Sequence, residues 1–410
     1  KRVVDSIKKY DKTIDEYIQP DGRVLVQLIK ALYGTIQAAR CWYDKLKSIL
    51  LEYDFEQHTN DPCVYMKIVN GAKLVVAFHV DDLLIISQNQ NATDKFLKFL
   101  LTKVKTIVIH KDKELPYLGM VLTHENDGHY SVNMQAYEEK IFQQFPVTEN
   151  KRVTSPARDN LFEIAHDEDA ELLNEKDRKL YHKVVYMLLF LCKRVRVECL
   201  MTISYLASRV TKANKKDLKD LIIVLQFLKN YPNKKIHYIH SASDKVELYV
   251  DASFGNCEDY KSRTGVFVMF KGAVVAAYCS KQKIVARNST ESELIGLTDG
   301  VTWGLFIRSF VEWIRNNQSK KPVVIEKMNV YQDNSASEIL QKTGQRNNIR
   351  TRHLGVRYFW AREQIKLGLI DIIHVATKLM LADIGTKPLH GKLFHNLWTI
   401  LIGEPQNKVI

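Results

Sequence analysis

Paired cysteines, long apolar runs and an export signal are all missing from this sequence. Its six cysteines are scattered without a CxxC pair, which argues against a zinc module or a disulfide framework and favours a reducing, intracellular setting. The longest apolar run, VVYMLLFLC at 184–192, is far shorter than the ~20 residues that span a bilayer. No signal peptide opens the chain, and its first residue is Lys1 rather than Met. We therefore expect a fragment of a longer reading frame that does not contact a membrane.

Acidic residues are also in the minority. The 410 residues include 60 Lys and Arg against 47 Asp and Glu, a formal net charge of +13. This surplus favours a polyanionic partner, most simply nucleic acid, although a basic surface without a partner would give the same count. Apolar residues at 46% and charged residues at 26% are typical of a globular protein. The length allows two or three domains.

The first half of the chain predicts strands and helices in an irregular order. Residues 24–29 and 115–122 are each expected to form a strand, and residues 41–53 have helical spacing of apolar side chains. Two β-rich runs, KLVVAFHV and LLIIS, flank Asp81-Asp82, which is the pattern of a tight hairpin. Residues 146–180 turn polar and charged and are expected to form a surface connection.

The second half predicts two helices, a linker and a mixed α/β sheet domain. The helices contain YHKVVYMLLFL and residues 217–230, and the linker covers 230–245. Three strands follow from Val246, then a helix from about Ser289, a strand ending at Asp333 and a helix from about Asn334. Another helix, a strand and a final helix complete the order. Strands first, then alternating helices and strands, are typical of a mixed sheet covered by helices.

Asp81 and Asp82 place two negative charges inside the apolar stretch FHVDDLLII. In a straight strand one of them would enter the core, whereas a hairpin turn exposes both. An ordinary turn is the simplest explanation. However, adjacent aspartates at a hairpin tip repel each other, and a bound divalent cation such as Mg²⁺ would convert that repulsion into attraction.

Four further carboxylates stand out in the second half: Asp251 and Asp333 end predicted strands, Glu293 lies in the first turn of a predicted helix, and Asp383 lies in the apolar stretch LMLADIG. Each has a structural alternative, because turn, cap and capping-box positions (Thr290-x-x-Glu293) also favour acids. Carboxylates at strand ends of an α/β sheet can nevertheless converge at one edge. Four at one edge would repel unless metal ions lay among them, and two metal ions are suited to phosphodiester cleavage.

The chain contains an ordered series of motifs, which in the first half are KALYGTIQAARCWYDKL, HVDDLLI and YLGM. In the second half they are VDASF, SRTGVFVMF, CSKQKIVARNSTESELIGL, YQDNSASEIL, RTRHLGVRYFWAREQ and LADIGTKPL. This series resembles the reverse transcriptase–ribonuclease H segment of copia-type LTR retrotransposon polyproteins over nearly the whole chain. The resemblance implies a fold of three parts: a partial antiparallel palm (1–145), a helical thumb-like segment (146–245) and a ribonuclease H-like mixed-sheet domain (246–400).

The resemblance also implies two metal-dependent sites. At the polymerase site, Asp81 and Asp82 would act with Mg²⁺, and Tyr33, Gly34, Gln37 and Gly119 would contact template, primer or nucleotide. At the ribonuclease H site, the metal-binding carboxylates would be Asp251, Glu293, Asp333 and Asp383. Two Mg²⁺ ions per site are implied, with Mn²⁺ as a substitute. Helical periodicity favours Glu291 in place of Glu293, whereas the family register favours Glu293.

The expected partners are an RNA template, an RNA–DNA hybrid, deoxynucleoside triphosphates and the rest of the polyprotein, including an integrase. A basic stretch would track phosphates next to the cleavage centre, although it could also be a solvated helix face; its members include Arg350, Arg352, His353 and Arg357. The location implied is intracellular, in cytoplasmic virus-like particles or the nucleus.

Three departures from the family pattern bear on activity. Residues 1–23 do not show the strand with a third aspartate that the polymerase needs, so we expect no polymerase activity from this chain alone. His79 replaces the usual Tyr, and residues 196–198 read RVE where Arg-Pro-Asp is common. The ribonuclease H half has all of its motifs. The alternatives are a ribonuclease H with an inactive polymerase remnant and a non-catalytic nucleic-acid-binding relic.

Overall fold

The structure is a computed structural model that describes residues 2–24, 27, 29–32, 34–147, 151–163, 171–240, 242–316, 326–334 and 355–404. The backbone forms two compact units, Lys1–Ile107 and Val108–Ile410. The expected mixture of antiparallel sheet and helices is confirmed in both units. The division into 1–145, 146–245 and 246–400 stays a prediction.

The first unit is an antiparallel sheet packed against two helices. Its elements are α1 (Arg2–Lys8), a 3-10 helix (Lys12–Tyr17), α2 (Ile36–Glu52), β1 (Glu56–Gln57), β2 (Val64–Val69), β3 (Ala72–His79), β4 (Asp82–Ser87) and α3 (Gln90–Lys103). The sheet order is β1-β2-β3-β4. Leu46 and Leu50 of α2 and Phe96 of α3 share one buried core with Tyr65 and Val76 of the sheet. The predicted helix at 41–53 and the predicted hairpin around Asp81 are confirmed.

The second unit contains two sheets and most of the helices. Its first part comprises β5 (Glu114–Tyr117), β6 (Met120–His124), β7 (Tyr130–Asn133), α4 (Gln135–Gln144), α5 (Glu175–Cys192), α6 (Leu200–Ala207), α7 (Lys215–Asn230) and β8 (Ile236–Tyr238). Its second part comprises β9 (Glu247–Ser253), β10 (Arg263–Phe270), β11 (Ala273–Lys281), α8 (Ser289–Asn316), β12 (Met328–Gln332), α9 (Gly355–Lys366), β13 (Ile370–His374) and α10 (Gly391–Leu401). Short 3-10 helices cover Val197–Cys199, Thr377–Leu379 and Leu381–Gly385.

The larger sheet of the second unit has the order β11-β10-β9-β12-β13. Strands β9, β10 and β11 are antiparallel neighbours, whereas β12 runs parallel to both β9 and β13. Helix α8 packs with Leu297 and Val301 on one face of the sheet, in a core that includes Val250. Helix α8 is long and apolar enough to span a membrane by composition, yet 56% of its most apolar window is buried inside the protein. The mixed α/β sheet predicted from Val246 onward is confirmed.

The opposite face of this sheet is covered by the preceding helices. One core joins Leu188 of α5, Ile203 of α6 and Leu225 of α7 with Phe267 of β10 and Trp398 of α10. The core therefore continues across the expected boundary near residue 245. Because one apolar cluster supports both segments, the mixed sheet and the helical segment stabilise each other.

Three sequence predictions were wrong in detail. Residues 115–122 form a hairpin rather than one strand, since Leu118 and Gly119 both have positive φ (50° and 80°), as a tight two-residue turn requires. The expected linker 230–245 contains β8, which pairs with β7 and completes the sheet β5-β6-β7-β8. The expected surface connection 146–180 buries Ala157, Leu161 and Leu173 and includes the start of α5.

Two predicted elements fall wholly or partly outside the described residues. Residues 335–354, which include the helix expected from about Asn334, lie outside the described part of the chain. Of the strand expected at 24–29, Val24 forms an isolated antiparallel bridge with Ile18, and residues 25, 26 and 28 lie outside the described part of the chain.

A buried group of one arginine and two glutamates links α4 to the segment that follows α5. The Arg196 side chain is fully buried; its Nη1 donates to Glu138 Oε1 of α4 (2.9 Å) and its Nε donates to Glu198 Oε1 (2.7 Å). Burial lowers the pKa of Arg196, but the two carboxylates outweigh it and raise the pKa. Burial raises the pKa of Glu138, although the charge of Arg196 and its hydrogen bond act in the opposite direction. The RVE segment is therefore an integral part of this unit's interior.

Replacing Arg196 by Met should destabilise the second unit by about 3–5 kcal/mol, because two buried carboxylates lose their counter-charge. Denaturant unfolding followed by circular dichroism measures this loss. The control is Lys179→Met, which breaks the exposed pair of Lys179 with Glu175 on α5 and should change the free energy of unfolding by less than about 1 kcal/mol. Equal effects of the two substitutions would contradict a structural role for the buried group.

Candidate active site

Three of the predicted carboxylates converge beside the central strand of the mixed sheet. Tyr249 of β9 pairs with Tyr331 of the parallel strand β12, so Asp251 and Asp333, each two residues further on, lie side by side. Glu293 projects from the second turn of α8, which packs on β9. One oxygen of each of Asp251, Glu293 and Asp333 lies within 4.8 Å of one oxygen of the other two.

The cluster is largely withdrawn from solvent and only partly compensated. Asp251 is 1% exposed and Glu293 is 6% exposed. Glu293 Oε2 is buried and accepts no hydrogen bond from any residue in the described part of the chain. Burial, followed by the charges of Asp251 and Asp333, raises the pKa of Glu293 well above its ordinary value. Asp333 Oδ2 accepts a hydrogen bond from Thr377 Oγ1 (3.2 Å).

Asp383 reaches the same region from the 3-10 helix Leu381–Gly385. This segment crosses β10 at close range: a Cβ on Gly265, the strand partner of Asp251, would lie 3.0 Å from Ala382 O and from Gly385 Cα. A larger residue would push the segment away, so glycine at Gly265 and Gly385 allows Asp383 to lie near Asp251. Asp383 is 1% exposed.

Two residues that follow Asp383 in the chain contact these carboxylates: Lys387 lies beside both Asp383 and Asp251, and Thr386 contacts Asp251. Lys387 Nζ donates to Asp383 Oδ1 at 2.6 Å and lies 3.5 Å from Asp251 Oδ2. Thr386 Oγ1 donates a short hydrogen bond to Asp251 Oδ2. Burial and the charge of Asp251 raise the pKa of Asp383 to about 7, although the bond from Lys387 acts in the opposite direction.

Glu291 and Glu293, the two candidates on α8, have different surroundings. The Glu291 amide donates to Asn288 Oδ1 (2.9 Å), and Glu291 Oε2 accepts from the Arg287 amide (3.0 Å). Asn288 and Glu291 thus satisfy backbone groups at the start of α8. The helix start is therefore not a Thr290–Glu293 capping box, and Glu293 is the glutamate that faces Asp251 and Asp333.

The donor set of the cluster fits a divalent metal ion. Mg²⁺ and Mn²⁺ prefer carboxylate oxygens, and Asp251, Glu293 and Asp333 offer three of them within one ion's reach. The buried Glu293 oxygen gives the fit independent support, because an unsatisfied anionic acceptor costs stability unless a cation joins it.

Asp81 and Asp82 lie in quite different surroundings in the first unit. The turn residues of the hairpin are Val80 and Asp81, while Asp82 already pairs with His79 across the strands. Both aspartates are exposed. Val80 has φ of 58°, a conformation that β-branched residues rarely adopt, and its carbonyl accepts a 2.7 Å hydrogen bond from Trp42 Nε1 of α2. The hairpin thus presents two carboxylates to solvent at a fixed place.

Only some of the other predicted binding residues lie in the described part of the chain. Gly34 (φ 90°) precedes α2, Gln37 lies in the first turn of α2, and both are exposed. Gly119 is the second turn residue of the β5–β6 hairpin. Arg357 lies in α9, although its side chain is outside the described part. Tyr33, Arg350, Arg352 and His353 lie outside the described residues.

The acids of residues 1–23 have local roles in the first unit. Asp11 caps the 3-10 helix by accepting from the Thr13 amide (2.9 Å). Asp15 forms an exposed ion pair with Lys8 (2.5 Å), and Asp5 lies in α1. As expected from the sequence, none of the three lies on a strand within the described residues.

Thr386 and Lys387 were missed by sequence reasoning, although LADIGTKPL was among the recognised motifs. The signal was the spacing: Asp383 and Lys387 are four residues apart, so one helical turn brings their side chains together. The spacing does not reveal that Asp383 is buried, and this burial is what strengthens its interaction with Lys387.

Comparison with known proteins finds similarity in sequence over part or most of the chain. Residues 14–159 match the family described as reverse transcriptase (RNA-dependent DNA polymerase). The Ty1-NL2 and Ty1-JR2 Gag-Pol polyproteins of Saccharomyces cerevisiae are each 23% identical to the chain, and each alignment covers 92% of this chain and 22% of the relative. The chain therefore spans about a fifth of the length of these curated relatives.

Among solved structures, the chain is similar to RNase H1 from Halobacterium salinarum NRC-1, with 14% identity and a TM-score of 0.22. The match covers 32% of this chain and 86% of that one.

The family match is limited to residues 14–159, whereas the similarity to the Ty1 Gag-Pol polyproteins extends over 92% of the chain. Both findings agree with the resemblance to copia-type LTR retrotransposon polyproteins.

Replacing Glu293 by Gln should stabilise the metal-free protein, because the substitution removes a buried charge that lies beside the carboxylates of Asp251 and Asp333. Because the pKa of the Glu293 carboxyl is raised, we expect the free energy of unfolding to increase in Glu293→Gln at neutral pH. A raised carboxyl pKa means that the folded state binds more protons than the unfolded state. The gain should therefore be absent below the ordinary Glu pKa and grow as the pH rises above it.

Denaturant unfolding in EDTA across this pH range measures the effect of Glu293→Gln. Glu291→Gln is the matched control, and it should leave stability unchanged or lower it, since Glu291 accepts a backbone hydrogen bond. A loss of stability in Glu293→Gln at neutral pH would contradict this account.

Replacing Val80 by Gly should stabilise the β3–β4 hairpin by about 1 kcal/mol, because glycine adopts positive φ without the steric cost that valine bears. Hydrogen exchange of the backbone amides of residues 72–87, measured by mass spectrometry, reports this change. Ala77→Gly, in the middle of β3, should reduce protection of the same amides. Reduced protection in both variants would show that Val80 is not strained.

Proposed function

We propose that the 246–400 segment hydrolyses the RNA strand of an RNA–DNA hybrid, and that the chain is part of an RNA-directed DNA polymerase. The observation that carries the ribonuclease proposal is the convergence of Asp251, Glu293 and Asp333 within 4.8 Å. A carboxylate trio with two buried members, Asp251 and Glu293, is costly unless a cation joins it, and the net charge of +13 suits a nucleic-acid substrate.

In this proposal Asp251, Glu293, Asp333 and Asp383 hold two Mg²⁺ ions, with Mn²⁺ as a substitute. When bound, the ions supply an activated water and neutralise charge at the scissile phosphate. Asp251, which lies between the other carboxylates, would be one of the metal ligands, and Thr377 would orient Asp333 through its hydrogen bond. The water oxygen bonds to phosphorus, the bond from phosphorus to the leaving ribose oxygen breaks, and that oxygen takes up a proton.

For the first half, we propose a palm over 1–145 followed by a thumb-like helical segment over 146–245. The family match at 14–159 and the exposed tip of the β3–β4 hairpin support this assignment. Asp81, with Asp82 beside it, would hold Mg²⁺ against a deoxynucleoside triphosphate. The residues assigned to contact template, primer or nucleotide are Tyr33, Gly34, Gln37 and Gly119.

The proposed partners are an RNA template, an RNA–DNA hybrid and the rest of the polyprotein, including an integrase. Arg350, Arg352, His353 and Arg357 would track hybrid phosphates. The proposed location is intracellular, in virus-like particles or the nucleus. Two alternatives remain: a ribonuclease H with an inactive polymerase remnant, and a nucleic-acid-binding relic.

Replacing Asp333 by Asn should reduce Mg²⁺-dependent cleavage of a labelled RNA–DNA hybrid by about a hundredfold or more, because charge stabilisation at the phosphate depends on this ligand. Asp371→Asn on β13 is the matched control, since Asp371 is half-exposed and pairs with Lys327 instead. It should cleave like the unchanged chain.

If the unchanged chain and Asp333→Asn both bind hybrid and neither cuts it, the chain is a relic. Primer extension on an RNA template, compared with Asp81→Asn, tests the polymerase. Cleavage without extension agrees with the expectation that this chain alone does not polymerise. Extension that is lost in Asp81→Asn would overturn that expectation.

A further inference from the structure

The ammonium group of Lys387 lies between two carboxylates, in a position that a metal ion could otherwise occupy. Its ammonium nitrogen lies 2.6 Å from Asp383 Oδ1 and 3.5 Å from Asp251 Oδ2. Its side chain is 39% exposed, whereas those of Asp251 and Asp383 are each 2% exposed. The charged end therefore reaches into a buried pair of carboxylates while the stem retains a route to solvent.

Asp251 divides the cluster into two halves. On one side it faces Glu293 and Asp333, and Glu293 Oε2 there accepts no hydrogen bond from the described residues. On the other side it faces Asp383, and here Lys387 supplies a positive charge. Both halves offer carboxylate ligands. Among the described residues, the Asp251–Asp383 half has an ion-paired lysine, whereas Glu293 and Asp333 have none.

We propose that Lys387 is a tethered counter-cation that competes with one of the two metal ions, so that the two halves of the cluster take up metal unequally and in order. This inference rests on the proposed metal-dependent function. The Glu293–Asp333 half binds its ion first, because no lysine of the described residues forms an ion pair with either carboxylate. The Asp251–Asp383 half binds an ion only after Lys387 has moved out.

The consequence is a reduced apparent affinity for the second ion. When a binding-competent state is only a fraction of the population, the apparent affinity falls by that fraction. A minor state with Lys387 withdrawn, populated at about 1–10%, would weaken the second ion about ten- to a hundredfold. The flexible four-carbon stem of lysine allows such withdrawal without movement of the backbone.

Mn²⁺ binding to the full chain tests this inference by counting ions and their affinities, with electron paramagnetic resonance of free Mn²⁺ as the readout. All measurements use a background with Asp81→Asn and Asp82→Asn, so that ions at the first unit do not contribute. The unchanged Lys387 should show one tighter and one weaker ion. Lys387→Met should tighten the weaker ion about ten- to a hundredfold and leave the tighter ion nearly unchanged.

Matched variants separate charge from packing. Lys387→Arg keeps the positive charge and should keep the second ion weak, whereas Lys387→Gln should behave like Lys387→Met and replaces it should that variant not fold. Lys392→Met, an exposed lysine in α10, should change neither ion. In EDTA the neutral Lys387 variants should unfold at a lower temperature than the unchanged chain, and Mn²⁺ should raise their unfolding temperature by more.

The two proposals fail in different ways. If the chain binds no Mn²⁺ that Asp333→Asn removes, the proposed metal-dependent function is wrong. If Asp333→Asn removes the tighter ion but Lys387→Met and Lys387→Gln leave the weaker ion unchanged, the metal site stands and the competition by Lys387 is refuted.

Discussion

The mutual repulsion of carboxylates beside β9 is the constraint on which the second unit depends. Asp251 lies on the central strand, where burial removes water that would otherwise screen it. Several neighbouring elements bring either another negative charge or a partner that offsets one. Strand β12 and α8 bring Asp333 and Glu293, whereas the segment after Asp383 brings Thr386 and Lys387. The fold therefore gives up stability at this point, and such a sacrifice is typical of sites that act on charged ligands.

Both candidate sites are built from carboxylates, but those of the first unit are exposed to water whereas those of the second unit are largely buried. Asp81 and Asp82 are exposed on a hairpin tip, where water screens their repulsion and the local cost is borne by the strained backbone of Val80. Asp251 and Glu293 are buried, so their cost is electrostatic, while the backbone of α8 and β9 is regular. A cation would relieve the buried cluster far more than the exposed pair, because charge interactions strengthen as water is excluded.

The helical layer behind the mixed sheet gives the cluster a rigid base. Helices α5, α6 and α7 share one core with β10 and α10, and the 3-10 helix that carries Asp383 packs into the same core through Leu381 and Ile384. Arg196 ties α4 to this layer through two buried ion pairs. A site that needs carboxylates within a few ångströms of each other benefits from such packing, since side chains on rigid elements keep their geometry.

The sequence by itself determined the resemblance to copia-type polyproteins, the order of the described strands and helices from Val246 onward, and three of the acids that lie in one region, Asp251, Asp333 and Asp383. These follow from local periodicity and from motifs that lie within short stretches of chain. It did not determine that 115–122 folds back at Gly119, that β8 completes a second sheet, or which of Glu291 and Glu293 faces Asp251. Tertiary structure decided those points, because a strand's partner, a helix's rotation on its sheet and the burial of Lys387 beside Asp383 all depend on residues distant in sequence. Periodicity places a side chain on a face, and only packing decides what that face meets.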